Sequence, residues 1–226
     1  MKLLSTGNPK LLKGEKKGYM SFVLHLSPAD VSGYETCPKR TAGCTAACLN
    51  TAGRGGMFKP GGTNTIQEAR KRKTRMFFQE RSEFLKQLEA DIRLGIKQAE
   101  KKGMIPAFRL NGTSDIAWEK YGIIEKFPDV QFYDYTKMRN RKVSHLKNYH
   151  LTFSKADGND MDVRLAASAG MNVAVVFESV PKSYIGRTVV DGDDTDLRFL
   201  DPKGVVIGLK AKGRARKDSS GFVVRA

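Results

Sequence analysis

The chain has 226 residues, of which 40 are Lys or Arg and 24 are Asp or Glu, and it contains three cysteines. A chain of this length buries enough apolar surface to fold without disulfides or a structural metal. Its longest apolar runs, such as residues 173–177, are far shorter than the roughly 20 residues that span a bilayer, and no apolar leader segment follows Met1. We therefore expect a single domain, residues 1–226, in a reducing cytoplasm and without a membrane partner.

The formal net charge of +16 indicates an anionic partner but does not identify it. Nucleic acid, a nucleotide and a phosphorylated metabolite would all be attracted. The basic residues are spread along the chain, with local concentrations at residues 70–75 and 210–217. A solvated helix face and a basic tail explain the same pattern, so nucleic acid is one partner among several.

Apolar periodicity predicts alternating strands and helices along most of the chain. A strand at 19–26 is followed by a glycine-rich segment, residues 31–62, which we call the cysteine loop. Thr65 and Glu68 fit a capping box at the start of a long helical region, which we expect to break near Arg81. The next predicted elements are the end of that helical region at Gly103, strand 105–110, a short helix at 116–121, strands 130–135 and 149–153, a helix from Asn159 to Gly170, strand 173–177, and short strands at 187–190, 197–200 and 205–209.

Strands that alternate with helices are typical of parallel βαβ units. Eight candidate strands in about 200 residues lead us to expect an α/β fold, a compact or incomplete (β/α)8 barrel of the TIM type. The cysteine loop would follow the first strand of this barrel. An open, doubly wound parallel sheet is the alternative.

The most distinctive motif is C-x6-C-x3-C, formed by Cys37, Cys44 and Cys48, and it contains every cysteine of the chain. Three thiolates from one loop can hold three irons of a [4Fe–4S] cluster and leave the fourth iron open to another ligand or a substrate. Small residues near the cysteines would let backbone N–H groups approach such a cluster, and Arg54 supplies positive charge. A zinc site completed by His25, buried thiols without metal, and a thiol nucleophile are the alternatives.

Polar side chains follow several of the predicted strands. In parallel α/β folds, ligands bind at the carboxyl ends of the strands. In a closed barrel the first strand lies between the second and the last, so residues at those two strand ends would surround the open iron. The predicted catalytic residues are Asp115, Lys210 and Lys212, and the predicted cofactor-binding residues are Arg54, Asn111 and Ser114. This mixture of charges predicts a small anionic or zwitterionic ligand at the open iron.

Five runs of residues, at 49–56, 109–115, 132–137, 151–154 and 209–213, resemble the bacteriophage gene-88-type proteins. That family is described as viral iron–sulfur proteins with a TIM-barrel-like fold, and the resemblance covers nearly the whole chain. It implies a phage-encoded protein in the cytoplasm of the infected host cell. It also implies that the three cysteines ligate a [4Fe–4S] cluster at the mouth of a barrel, but it implies no reaction.

Three functional classes follow from these observations. The first is an enzyme that uses the open iron as a Lewis acid or electron donor, although the C-x3-C-x2-C spacing usual in S-adenosylmethionine radical enzymes is absent. The second is a nucleic-acid-binding protein with a structural metal site, and the third is a redox carrier or sensor. The sequence does not decide between an enzyme and the other two classes.

Overall fold

A computed structural model of the chain describes residues 1–6, 9–58, 62 and 64–225. In this part of the chain ten strands belong to the sheet and five α-helices accompany it. The strands are β1 Leu4–Ser5, β2 Tyr19–Leu24, β3 Ile105–Arg109, β4 Gln131–Thr136, β5 Tyr149–Ser154, β6 Val173–Phe177, β7 Ser183–Tyr184, β8 Arg187–Asp191, β9 Val206–Lys210 and β10 Val223–Val224. The α-helices are α1 Pro9–Glu15, α2 Ala42–Ala46, α3 Thr65–Gln79, α4 Arg81–Lys101 and α5 Asp160–Ser168.

The strands lie in the order β1-β2-β3-β4-β5-β6-β9-β8-β7, and β10 also pairs with β6. Strands β2 to β6, β9 and β8 run parallel to their neighbours. The two terminal strands are antiparallel, β1 against β2 and β7 against β8. Within the described ranges the two ends of this mixed sheet do not pair, so the sheet is open. The predicted (β/α)8 barrel is therefore wrong.

Two features of the last quarter of the chain explain why the barrel does not form. Closure needs further strands that continue the parallel order, but β7 and β8 form an antiparallel pair at one end of the sheet. Residues 197–200, predicted as a strand, instead contain a short 3-10 helix, Arg198–Leu200. The segment around this helix lies on the sheet rather than extending it.

One face of the sheet packs against the long helices. The register aligns Phe22 of β2 with Phe108 of β3, and Phe108 with Phe132 of β4. These three rings lie in one core with residues of α4 such as Phe84 and Leu88. The same face continues through β5 and β6, where Phe153, Val173, Val175 and Phe177 pack against α5. Alternation along the strands therefore places α3, α4 and α5 on one side of the sheet.

Residues 192–201 pack on part of the opposite face, beside α1. Leu197 packs between Ala107 and Tyr133 in a small buried cluster, and the ring of Phe199 lies 5.4 Å from that of Tyr133. Arg109 of β3 donates to the Asp196 carboxylate at 2.7 Å. This segment therefore occupies the space that a closed barrel would have enclosed.

Most of the predicted elements are confirmed, with boundaries that differ by a few residues. The break near Arg81 separates α3 from α4, and α4 ends at Lys101, just before Gly103 adopts a positive φ of 63°. The helix predicted at 116–121 is a 3-10 helix, Trp118–Tyr121. None of the helices in the described ranges is long and apolar enough to cross a membrane.

Candidate functional site

The cysteine loop crosses the carboxyl edge of the sheet and contacts the ends of several strands in turn. The backbone N–H of Asp115, which follows β3, donates to the Thr36 carbonyl at 2.8 Å. Asp157, which follows β5, accepts hydrogen bonds from the middle of the loop. Further along, Ala47 packs in a small apolar cluster with Val223 of β10. The loop is therefore held at the edge where ligands of parallel sheets bind.

Cys44 lies in α2, and the N-terminus of this short helix is capped by two side chains. The Thr41 hydroxyl accepts from the Cys44 N–H at 3.1 Å. The Asp157 carboxylate accepts from the N–H groups of Gly43 and Cys44, each at 3.1 Å, and from the Thr41 hydroxyl. Burial opposes ionisation of Asp157, but these hydrogen bonds lower its pKa below the usual value. The caps fix the position of the Cys44 backbone.

Cys48 is held by the start of α3. The Asn50 carbonyl, two residues after Cys48, accepts from Gln67 Nε2 at 2.8 Å and from Arg70 Nη1 at 3.1 Å. The Asn50 N–H donates to Cys48 Sγ at 3.5 Å. Asn64 caps α3 by accepting from two backbone N–H groups, and its Nδ2 donates to the Met57 carbonyl at 2.7 Å. The sequence predicted Thr65 in this capping role, so the cap lies one residue earlier.

Lys137, directly after β4, brings the three cysteines into one electrostatic environment. Its backbone N–H donates to Asp115, and its positive charge favours the ionised forms of Cys37 and Cys48. Burial by itself would lower the pKa of Lys137, but the charges of Cys44 and Asp115 raise it above the usual value. A cation therefore lies among three thiols at the carboxyl edge.

The thiols are partly exposed and form no disulfide. Burial raises the pKa of Cys37 to about 11, although the Ala29 N–H donates to its sulfur at 3.4 Å. Burial likewise raises the pKa of Cys48. At neutral pH these two thiols stay protonated unless a metal ion or another electrophile displaces the proton.

Asp115 connects the cysteines to a buried polar network. Its Oδ2 accepts from the Lys137 N–H at 2.8 Å, and its Oδ1 lies 3.9 Å from Arg141 Nη1. Arg141 is paired with Glu119 and donates to the Tyr149 hydroxyl at 2.9 Å. Both Asp115 Oδ1 and Arg141 Nη1 are buried and lack a hydrogen-bond partner in the described structure. Asp115 is the one predicted catalytic residue that the electrostatic contacts place beside the cysteines.

Asn111 and Ser114 lie close to Asp115, but their polar atoms bond within the fold. Asn111 Oδ1 accepts from Ser114 Oγ at 2.9 Å and from Trp118 Nε1 at 3.1 Å. Asn111 Nδ2 donates to the Ile116 carbonyl at 2.9 Å. These two predicted cofactor-binding residues support the backbone that carries Asp115.

Lys210 and Lys212 are not where the barrel prediction places them. In the open sheet β9 is separated from β2 by β3, β4, β5 and β6, so its end is not adjacent to the start of the cysteine loop. Both lysines are exposed, and Lys212 Nζ lies 2.5 Å from Asp193 Oδ1. Arg54 is exposed as well, in a 3-10 helix of the cysteine loop. No hydrogen bond or ion pair joins any of these three side chains to a cysteine in the described structure.

His25, the fourth ligand of the alternative zinc site, lies in a different environment. Its Nδ1 is 3.4 Å from Ser5 Oγ. Burial and the nearby charge of Arg70 lower its pKa to about 3, so the ring is neutral. Among the described residues, no three His, Cys, Asp or Glu side chains converge as ligands of a metal ion.

Three residues that shape this site could not be assigned to it from the sequence. Lys137 lies in one of the runs that carry the family resemblance, and Arg70 in one of the two basic concentrations, but neither pattern connects them to the cysteines. Asp157 gave no signal, because it follows a strand that is distant in sequence from the cysteine loop. Only the packing of strand ends and of α3 against the cysteine loop brings them there.

Comparison with known protein families gives a match that spans almost the entire sequence. The model of the family described as Gene product 88 matches residues 2–226. No curated protein and no solved structure matches the chain. The chain therefore belongs to the Gene product 88 family, a family of bacteriophage gene products.

Proposed function

We propose that this protein binds one [4Fe–4S] cluster through Cys37, Cys44 and Cys48. The observation that carries the proposal is that the loop bearing all three cysteines is held across the carboxyl edge of the sheet by hydrogen bonds from Asp115, to Asp157 and from α3. Three thiolates account for three irons of a cluster and leave the fourth without a cysteine ligand. The chain has no fourth cysteine to supply one.

Backbone donors near the thiols suit a cluster, because hydrogen bonds to the sulfurs help to hold and tune such clusters. The N–H groups of Ala29 and Asn50 already donate to Cys37 and Cys48.

The charges near the thiols favour an anionic group. A thiolate-ligated cluster is negatively charged, and Lys137 and Arg70 supply compensating positive charge close to the cysteines. Two of the three thiols have raised pKa values, so metal binding would release protons and depend on pH.

The open iron would accept a small anionic or zwitterionic molecule. When bound, the cluster supplies an iron that can act as a Lewis acid or an electron donor. Asp115 supplies a buried carboxylate oxygen without a hydrogen-bond partner in the described structure, on the same side as Cys37 and Lys137. An amine of the ligand would face the Asp115 carboxylate, whose charge Arg141 shares at 3.9 Å, and a carboxylate or phosphate would face the lysine.

Anaerobic reconstitution tests the proposal. We expect a brown protein with about four irons and four sulfides per chain. Replacing Cys37, Cys44 or Cys48 by Ala should each abolish the cluster, because two thiolates hold a cluster poorly. The matched control is Thr45→Ala, an exposed residue beside Cys44, which should keep full iron content. Asp115→Asn should also keep the cluster but lose the change in the EPR spectrum on adding S-adenosylmethionine or an amino acid.

Two results would contradict these expectations. A colourless protein with one zinc ion, or full iron in all three cysteine variants, would overturn the cluster assignment. A reconstituted cluster whose EPR spectrum responds identically in the parent and in Asp115→Asn would keep the cluster and overturn the ligand role of Asp115.

A further inference from the structure

We propose that single-stranded nucleic acid binds along a basic and apolar strip beside the cysteines. The strip consists of the basic turn, Gly213–Lys217, and the adjoining part of the cysteine loop, residues 49–58. This inference does not depend on the cluster, because it uses neither the cysteines nor their neighbours Lys137 and Asp115.

The fold brings these two segments together from opposite ends of the chain. The basic turn is a 3-10 helix in which only Ala215 is buried. Ala215 packs against Ala47 of the cysteine loop and Val223 of β10, and a Cβ on Gly213 would lie 3.6 Å from the Cβ of Ala52. The apolar contact anchors the turn and leaves its charged residues directed to solvent.

The basic turn has positive charge that is free to bind an anion. Arg214, Arg216 and Lys217 are all exposed, and none forms an ion pair with a carboxylate among the described residues. Exposed arginines and lysines along one short segment are the usual contacts of a phosphate backbone.

Part of the other basic concentration of the sequence, in α3, is already paired. Arg70 donates to the Asn50 carbonyl, and Lys73 Nζ donates to the Leu3 carbonyl at 2.6 Å. Lys71 pairs with Glu68 at 2.9 Å on the surface. Arg72 and Arg75 are exposed, as the cations of the basic turn are, so we prefer the turn because it packs against the cysteine loop.

Large apolar side chains are exposed on the loop half of the strip. Leu49 is 58% exposed, Met57 70% and Phe58 53%. The backbone that carries Met57 is fixed, since its carbonyl accepts from Asn64 at the start of α3. Exposed apolar and aromatic side chains on a loop that packs against a basic turn are suited to stacking bases that are not paired, which favours a single strand over a duplex or an acidic protein.

The test measures binding of a 20-nucleotide oligo(dT) as a function of salt. The Arg214→Ala/Arg216→Ala/Lys217→Ala variant removes three charges, so the slope of log K against log salt should become shallower by about two. The matched control replaces Lys97, Lys101 and Lys102, which are exposed at the opposite edge of the sheet, and it should keep the parental slope. Phe58→Ala should weaken binding about tenfold and leave the slope unchanged.

Several outcomes would overturn the proposal. Equal slopes for the parent and the basic-turn variant would exclude the turn as the binding surface. If the slope of the control variant became shallower by the same amount, binding would be a response to net charge alone. Polyglutamate or duplex DNA binding as tightly as oligo(dT) would show that the strip recognises an acidic protein or any polyanion. None of these results depends on whether the protein holds iron, so they separate this inference from the proposed cluster.

Discussion

Asp134 on β4 illustrates what burial does to a single ionisable residue. It is fully buried, and its carboxylate accepts from the Asn111 N–H at 2.6 Å and from the Tyr149 hydroxyl at 2.8 Å. Burial raises the pKa of Asp134 from 3.8 to about 7, although the hydrogen bond from Asn111 and the charge of Arg141 oppose the change. No local pattern in the sequence indicates this burial, because the partners of Asp134, Asn111 and Tyr149, come from other segments.

This shift predicts how the stability of the protein depends on pH. Between pH 3.8 and about 7 the folded state binds the Asp134 proton and the unfolded state does not. The contribution of Asp134 to the free energy of unfolding should therefore be largest below pH 3.8 and decline as the pH rises towards 7. In Asp134→Asn the side chain cannot titrate.

Chemical denaturation of the parent and of Asp134→Asn at a series of pH values measures this contribution. The difference in unfolding free energy, parent minus variant, should decrease from pH 4 to about pH 7 and then level off. The control is the exposed Asp129→Asn variant. The difference in unfolding free energy between the parent and this variant should change less over the same pH range. A difference for Asp134→Asn that is constant across this range would contradict the prediction.

At the scale of elements, the cysteine loop owes its position to helix α3. Gln67, which is buried, donates to the carbonyls of Asn50 and Gly55 at 2.8 and 2.7 Å. Asn50 Nδ2 donates back to Gln67 Oε1 at 2.9 Å. The capping-box prediction located the helix start to within one residue, but it could not show that this first turn holds a loop. Glu68, predicted to complete the box, pairs with Lys71 instead.

Replacing Gln67 by Ala should loosen the cysteine loop. Asn50 Nδ2 would lose its acceptor, Gln67 Oε1, in the interior, and an unsatisfied buried group costs about 1–3 kcal/mol. Trypsin should then cleave faster after the exposed residues Lys39 and Arg54. In the control, Gln87→Ala, the lost hydrogen bond is to Asp91 on α4, and cleavage after Lys39 and Arg54 should keep the parental rate. Equal cleavage rates in Gln67→Ala and the parent would show that the loop does not depend on this anchor.

At the scale of the whole molecule, the open sheet makes residues 192–201 an essential layer. Leu197 is only 1% exposed and packs on Ala107 and Tyr133, whereas Leu200 in the same segment is 47% exposed. A barrel would have buried its interior face without such a segment. The stability of this fold therefore depends on a short irregular stretch.

The two leucines provide a matched test of this arrangement. Leu197→Ala should lower the unfolding free energy by about 2–5 kcal/mol, because it removes buried apolar atoms and leaves a cavity. Leu200→Ala should change it by about 0.5 kcal/mol or less, as surface substitutions usually do. Urea denaturation of both variants measures the difference. Similar values for the two would show that the segment is not packed against the sheet.

Much of the local structure could be predicted from the sequence alone. Period-two and helical apolar patterns identified β2, β3, β4, β5, β6 and β9 and the α3–α4 break, since these patterns reflect which side chains each element buries. The clustering of Cys37, Cys44 and Cys48 was also apparent, because all three lie in twelve consecutive residues. Such features depend on near neighbours in the chain.

Only the tertiary structure decided the topology and the composition of the site. Strand order is set by contacts between distant segments, so the sequence could not distinguish a closed barrel from a sheet with antiparallel ends. The same contacts separate Lys210 and Lys212 from the start of the cysteine loop and bring Lys137, Asp157 and Arg70 to the cysteines. Local patterns determine which segments form strands and helices. Which side chains meet at the sheet edge depends on long-range pairing, and this pairing leaves no periodic signal in the sequence.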